Sequence, residues 1–464
     1  MKKSHVFGIL LAIFILVGMH FVPESPGLTV QGIKTLGILL ALIVLLVTEP
    51  IPIGVTCILG IAFMVAFKAV DTVAQAMVGY TNQIMLFVVV SFGISYAITK
   101  VPLSRRLLVL LIKVFGSKIN MILLAFMLSA AVLSSIMSNV ATTAVLISVV
   151  LNFLTIYTDP VEKKQSGKAF MIGLPIAAMI GGIITPAGFS LILLIMDFLE
   201  KQVGITITFV QWMALGSPIA FVTLFFAWFL ICKVFKPIEV GKERVDEYVA
   251  NIGVEEKMSF KEKYVLTVVI VMFILWVLSS WFPVFNIAVV SAIGFGFMFL
   301  PKIEILTWDE YVGTVSWAAF FLVGTMLSLG SALSASGVSV WLVESIFPAT
   351  LDLPVSIIAF ILSIIIFILL IPIPLGPVLI TMLMAPFVVL AGAYNISPAV
   401  LLVLLVMVAS NCYILPLDTV PLLTYMTGYY KMSDMPKVSI AIQIFMAAMI
   451  GIWVPIGLKL LGIA

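Results

Sequence analysis

The residues best placed for chemistry in this 464-residue chain are few, and they sit inside apolar stretches. Ser134-Ser135-Ile136-Met137-Ser138-Asn139-Val140 interrupts an apolar run from 119 to 154. A helix that starts at such an interruption presents free backbone N–H groups and the positive end of its dipole, which favours an anion. Ser and Asn can cap that helix, or donate to a carboxylate, without bringing in a charge. A second interruption runs from Gly181 to Ser190 and contains Thr185-Pro186-Ala187-Gly188. Its unpaired carbonyls, with the hydroxyls of Ser134 and Ser138, suit a hard cation such as Na⁺. Asp418 is the third candidate, a carboxylate within an apolar run, which is costly in a bilayer unless paired, protonated or hydrated. It could bind a cation, take up a proton, pair with a cationic group on a substrate, or cap the helix that restarts after Pro416. Glu49 competes with it, but lies at a short turn near the inner surface.

Other chemistries lack their residues. The three cysteines (Cys57, Cys232, Cys412) and two histidines (His5, His20) have no metal-binding or disulfide spacing. There is no Gly-rich phosphate loop ending in Gly-Lys-Ser/Thr and no intramembrane cluster of His, Asp and Glu, so neither an ATP-driven pump nor a membrane enzyme is expected. An ion channel would favour rings built by symmetry over a repeat within one chain. The basic residues are spread over many loops, and nucleic-acid binding has no support.

The elements that must hold these residues are membrane helices. The chain is 63% hydrophobic and 10% charged with a mean hydropathy of +1.31, which excludes an ordinary soluble enzyme. Continuous apolar runs argue for helices over the alternating segments of a β-barrel. They lie at 6–23, 33–48, 51–67, 84–100, 119–154, 169–198 and 211–232, then at 264–282, 286–301, 315–335, 355–394, 398–428 and 438–461. The basic start Met1-Lys2-Lys3 followed by Val6 to Val22 reads as an uncleaved first span. The runs 119–154 and 355–394 are too long for one crossing, and Pro372-Ile373-Pro374-Leu375-Gly376-Pro377 interrupts the second as Ser138 does the first. Both read as re-entrant hairpins, which require a tip buried in protein or facing a watery cavity. That gives about eleven transmembrane helices plus two hairpins. With the N-terminus cytoplasmic, only Lys34, Lys68, Lys201 and Lys459 fall outside, and 20 of 24 Lys and Arg fall inside.

Similar elements recur about 230 residues apart: a span near Ile84 and near Ala318, a hairpin at Ser138 and at Gly376, a break at Gly181–Ser190 and at Asn411–Pro421. The hairpins open to opposite sides, so the repeat is inverted, which points to a secondary transporter with its site near the midplane. Leu103–Phe115 places Arg105, Arg106 and Lys113 on one face, as expected of an interfacial helix. Between Lys233 and Lys263, 14 charges among 31 residues mark a solvated helix or linker to which no chemistry is assigned.

In these features the chain resembles the divalent anion/sodium symporters, which carry dicarboxylates, tricarboxylates or sulfate. The markers are Glu49-Pro50-Ile51-Pro52, Ser138-Asn139, Ile207-Thr208-Phe209-Val210-Gln211-Trp212-Met213 and Ala409-Ser410-Asn411-Cys412-Tyr413-Ile414-Leu415-Pro416. The resemblance implies a homodimer in the cell (inner) membrane whose transport domain moves as an elevator. It divides the chain into scaffold helices (1–83), a first repeat with interfacial helix, hairpin and broken helix (84–232), the cytoplasmic linker (233–263), further scaffold helices (264–314) and a second repeat (315–464). It implies a substrate site of Ser138, Asn139, Val140, Ser190, Gly376, Pro377, Thr419 and Val420, and a first cation site of Ser134, Ser138, Asn139 and Gly188; Asp418, a cation-ligand candidate by its own chemistry, stands where the second sodium would normally meet a small residue's carbonyl. Where the family has Ser-Asn-Thr at both tips, Val140 replaces the first threonine and the second tip reads Gly376-Pro377-Val378. The usual Thr-Pro-Pro-Asn reads Thr419-Val420-Pro421-Leu422. The expected function is secondary transport of a di- or tricarboxylate coupled to Na⁺ or run as an exchanger. A sulfate or other inorganic anion and proton coupling through Asp418 are the alternatives. One Na⁺ site is expected, the second is left without its usual side chains, and the stoichiometry stays open.

Overall fold

Apolar runs edged by capping residues and prolines fold into helices that end where those residues stand. The computed structural model describes residues 3–253, 257–346 and 353–463. Met1 and Lys2 of the basic start, and Glu255 and Glu256 of the charged linker, lie outside them. Among the described residues the chain is helical, with one isolated β-bridge between Ser25 and Leu28. Six described helices are long and apolar enough to cross a bilayer. A seventh span arises if Gln83–Thr99 and Leu103–Phe115, which meet at 61° across Pro102, are taken together. Outward-facing Phe7, Phe14, Phe229, Ile270 and Ile452 give the helices an apolar exterior that water would not tolerate as one belt.

Both long runs are helix pairs. The first hairpin joins Ile119–Ser134 to Asn139–Phe153, and the second joins Val355–Leu369 to Gly376–Ala393. The two broken helices are Pro160–Gly181 with Ser190–Phe198, and Pro398–Ala409 with Thr419–Tyr425. Each is followed by a long helix, Phe209–Phe235 and Pro436–Leu460. The two halves thus repeat the order hairpin, broken helix, long helix.

The first broken helix begins at Pro160, nine residues ahead of the apolar run at 169. Asp159 accepts from the Val161 N–H at 2.9 Å and Pro160 has its φ preset, so the start lies at the cap and the charged first turns project beyond the apolar layer. Short helices at Trp308–Thr314 and Val338–Ile346 are additions to the sequence reading. The helix Leu103–Phe115 buries Ser104, Leu108 and Ile112 along one face, and Arg106 pairs with Glu262. Within the charged linker, Lys242–Asn251 is a helix held to the first hairpin by Tyr248, whose ring packs 5.1 Å from that of Phe153.

The buried side chains form two clusters. One holds both hairpins, both broken helices and the long helices. A smaller one joins Lys3–Gly18, Val30–Thr48 and Ile53–Ala66 to Trp317–Ala335 through residues such as Leu42, Met64, Leu322 and Met326.

Candidate substrate and cation site

Four helices begin at one place. Asn139, Ser190, Gly376 and Thr419 are the first residues of the second arm of each hairpin and of the second segment of each broken helix, and all four line one cavity of about 330 Å³. That volume is at the lower end of the roughly 300–1,000 Å³ typical of small-ligand sites. Ser138, Val140, Pro377 and Val420 line it too, with Gly188 and Asp418. Its walls include Leu322 from the smaller cluster and Phe87, Met137 and Met179 from the larger, so it lies at the seam between them.

Three of the four N-termini have no side-chain cap. Ser138, Phe189 and Leu375 occupy the cap positions and none accepts a capping bond. Of the two roles left open for Ser138 and Asn139, capping the helix is taken by neither side chain. The Ser138 backbone N–H donates instead to Ser95 Oγ at 3.1 Å, and Asn139 lies inside the first turn. The Ser134 hydroxyl donates to Asn139 Oδ1, which fixes the amide plane. Ser138 Oγ and Asn139 Nδ2 then have no protein partner among the described residues and are available to an acceptor in the cavity. The uncapped N–H groups beside them complete a seat for a carboxylate.

The cation residues divide differently. Ser134 is fully buried and does not line the cavity, and its hydroxyl is engaged with Asn139. Its carbonyl is the atom in place. A Cβ set on Gly188 would lie 2.6 Å from the Gly182 carbonyl oxygen and 2.7 Å from that of Ser134. No described N–H or O–H donates to either oxygen. Two unpaired carbonyls facing the space that Gly188 leaves open, with Asn139 Oδ1 beside Gly182, form an oxygen cradle that fits Na⁺. The sequence reading missed the bonds that hold the cradle. Thr185 donates its hydroxyl to the Ser135 carbonyl, and the Trp212 indole donates to the Ile183 carbonyl at 3.0 Å. Trp212 stood in a marker motif, but only the fold shows what its N–H reaches.

In the second half Asp418 caps its own helix, accepting from the Val420 N–H at 3.0 Å through Oδ1. Oδ2 has no partner among the described residues. Asn411 donates to the Met407 carbonyl at 2.8 Å and leaves its buried Oδ1 unpartnered, while Gln443 donates to the Asn411 carbonyl at 2.7 Å. Two residues before the helix restarts stands Gly188 in the first half and Leu417 in the second. Leu417 is exposed, so the second half has a side chain at the place where the first half has none. No group of three or more His, Cys, Asp or Glu that could hold a transition metal occurs among the described residues.

The family model described as "sodium:sulfate symporter transmembrane region" matches residues 3–461. A protein named sodium-dependent dicarboxylate transporter from Staphylococcus saprophyticus is 26% identical over 459 residues, covering 92% of this chain and 86% of its own. A Cupriavidus necator protein described as a membrane protein is 25% identical over 362 residues, with 74% and 69% covered. A Staphylococcus aureus protein named sodium-dependent dicarboxylate transporter is 24% identical over 373 residues, with 74% and 70% covered.

Proposed function

The chain belongs to the sodium:sulfate symporter family, a transporter and not an enzyme, and we propose that it is a sodium-coupled secondary transporter of a small organic carboxylate. One observation carries this reading: four helix N-termini meet at a single cavity, three of them without a side-chain cap. Such convergence stabilises negative charge without a cation in the wall, and the cavity has no Lys, Arg or His among its lining residues. The first hairpin tip binds a carboxylate of the substrate through Ser138, Asn139 and the free N–H groups after them. Na⁺ is the co-substrate, held by the Ser134 and Gly182 carbonyls around Gly188. Because Ser134 and Asn139 are bonded to each other, cation and anion share one support, and occupancy of one site orders the other. That is the physical basis of coupling. The relatives named sodium-dependent dicarboxylate transporters support the same class of cargo.

The elevator implied by the family resemblance would carry the cavity with the hairpins and broken helices whose second segments begin at it. The homodimer implied by the family resemblance would anchor the smaller cluster.

The test is uptake of labelled succinate, citrate, 2-oxoglutarate, 4-hydroxybutyrate and sulfate by proteoliposomes, each with and without an inward sodium gradient and with internal substrate. Accumulation of an organic acid that requires the gradient is the expected result. Uptake of sulfate alone would move the cargo to inorganic anions. Accumulation driven by a proton gradient without sodium would assign coupling to Asp418. Exchange that needs internal substrate and ignores sodium would make the protein an exchanger.

A further inference from the structure

The two hairpin tips offer unequal hydrogen-bond donors to the cavity. The first tip gives donors: Ser138 Oγ, Asn139 Nδ2 and uncapped N–H groups. The second tip begins Gly376-Pro377, and proline has no N–H to give. Asp418 lines the same cavity and is the only charged side chain among its lining residues. Its Oδ1 takes the Val420 N–H, and its Oδ2 is a bare acceptor. At the fourth N-terminus the protein therefore carries its own carboxylate, where the matching position in the first half is Phe189.

We infer that Asp418 sets substrate class: the cavity takes a monocarboxylate whose far end carries a hydrogen-bond donor, a hydroxyl or an ammonium, and disfavours a dicarboxylate. This rests on the reading of the protein as a carboxylate transporter and deepens it. A substrate carboxylate sits at the first tip, where every free polar group of the tip can donate to it. Its other end meets Oδ2, which can only accept. A second carboxylate there would bring two like charges together in a cavity with no basic residue, which penalises binding steeply. A hydroxyl or ammonium at that end satisfies an acceptor that otherwise has no protein partner, and an ammonium also cancels its charge.

The experiment uses the full chain in proteoliposomes under an inward sodium gradient at neutral pH, with four labelled four-carbon acids that differ only at one end. They are 4-aminobutyrate, 4-hydroxybutyrate, butyrate and succinate. The parent protein should take up the better of the two donor-bearing acids at least about tenfold more efficiently than succinate, with butyrate below both donors, the size of effect expected when a buried acceptor is satisfied or faced with a like charge. Asp418→Asn and Asp418→Ser both keep a capping side chain, so the helix start is retained while the charge is removed. Both variants should gain succinate uptake and reduce the tenfold preference to about twofold or less. Preference of the parent for succinate, or a preference that survives in both variants with sodium-driven uptake intact, overturns the role of Asp418 and leaves the transporter reading standing. A changed sodium requirement with unchanged preference overturns it too, and makes Asp418 a cation ligand. Absence of sodium-driven uptake for all four acids overturns the role of Asp418, and sodium-driven uptake of neither citrate nor 2-oxoglutarate in the same vesicles overturns the carboxylate reading as well.

Discussion

The first and second hairpins follow the same order of elements and are equipped differently. In each, the carbonyl just past the first arm accepts a side-chain donor from the neighbouring broken helix: Ser135 from the Thr185 hydroxyl, Leu370 from the Cys412 thiol at 3.8 Å. In each, the second arm starts at the cavity. The scaffold of the site is therefore duplicated. The chemistry is not. The first half has Asn139 at the tip, Phe189 before the restart and Gly188 before that; the second has Gly376, Asp418 and Leu417 in the matching places. A duplicated frame fixes where helix N-termini meet, and single residues then decide whether each corner donates, accepts or holds a cation.

The largest test of this difference is Gly188→Ala. Its Cβ would press on two carbonyl oxygens 2.6 and 2.7 Å away, and backbone cannot withdraw as a flexible side chain can. An overpacking cost of about 1–3 kcal/mol predicts a loss of sodium affinity approaching a hundredfold, read from the sodium concentration that half-activates uptake. Leu417→Ala, the matching change in the second half, should leave that value in place.

Asn139→Ala comes next. Losing a buried donor to the substrate carboxylate costs about 1–2 kcal/mol, so the substrate concentration for half-maximal uptake should rise about tenfold. Pro377→Ala at the other tip should change it by no more than about twofold, the range of substitutions that remove no specific interaction.

The smallest effect concerns a tie between the halves. Asp434, buried ahead of the last helix, accepts from Lys437 Nζ at 2.7 Å, from the Lys431 N–H at 3.0 Å and pairs with Lys168 of the first broken helix at 3.0 Å. Burial pushes its carboxyl up, but these donors outweigh burial and hold it well below the usual carboxylate range. A lowered folded-state value means that the stabilisation is complete above the ordinary aspartate range and is lost as pH falls through and below it. The melting midpoint of the detergent-solubilised protein should therefore drop below about pH 4. Asp434→Asn should melt a few degrees lower at neutral pH and show a shallower acid decline.

Much of this was legible in the sequence, for identifiable reasons. Apolar runs of the wrong length located both hairpins, because the thickness of a bilayer fixes how many residues one crossing needs. Gly, Pro and Ser within those runs located the breaks. The residues expected to bind substrate or cation come to one cavity except Ser134, which stands behind Asn139, and the neighbouring Ser135 and Thr185 lie outside it, bonded to each other. What could not be read were contacts made across long sequence separations. Nothing near Trp212 shows that its indole reaches Ile183, and nothing near Ser95 shows that its hydroxyl receives the Ser138 N–H.

The proposed function gives the unequal halves one cation cradle, at Gly188, where a symmetric protein would have two. The direct measurement is the sodium dependence of substrate uptake at saturating substrate in proteoliposomes. One cradle predicts a hyperbolic curve with a Hill coefficient of about one, and a sigmoidal curve with a coefficient of about two would contradict it.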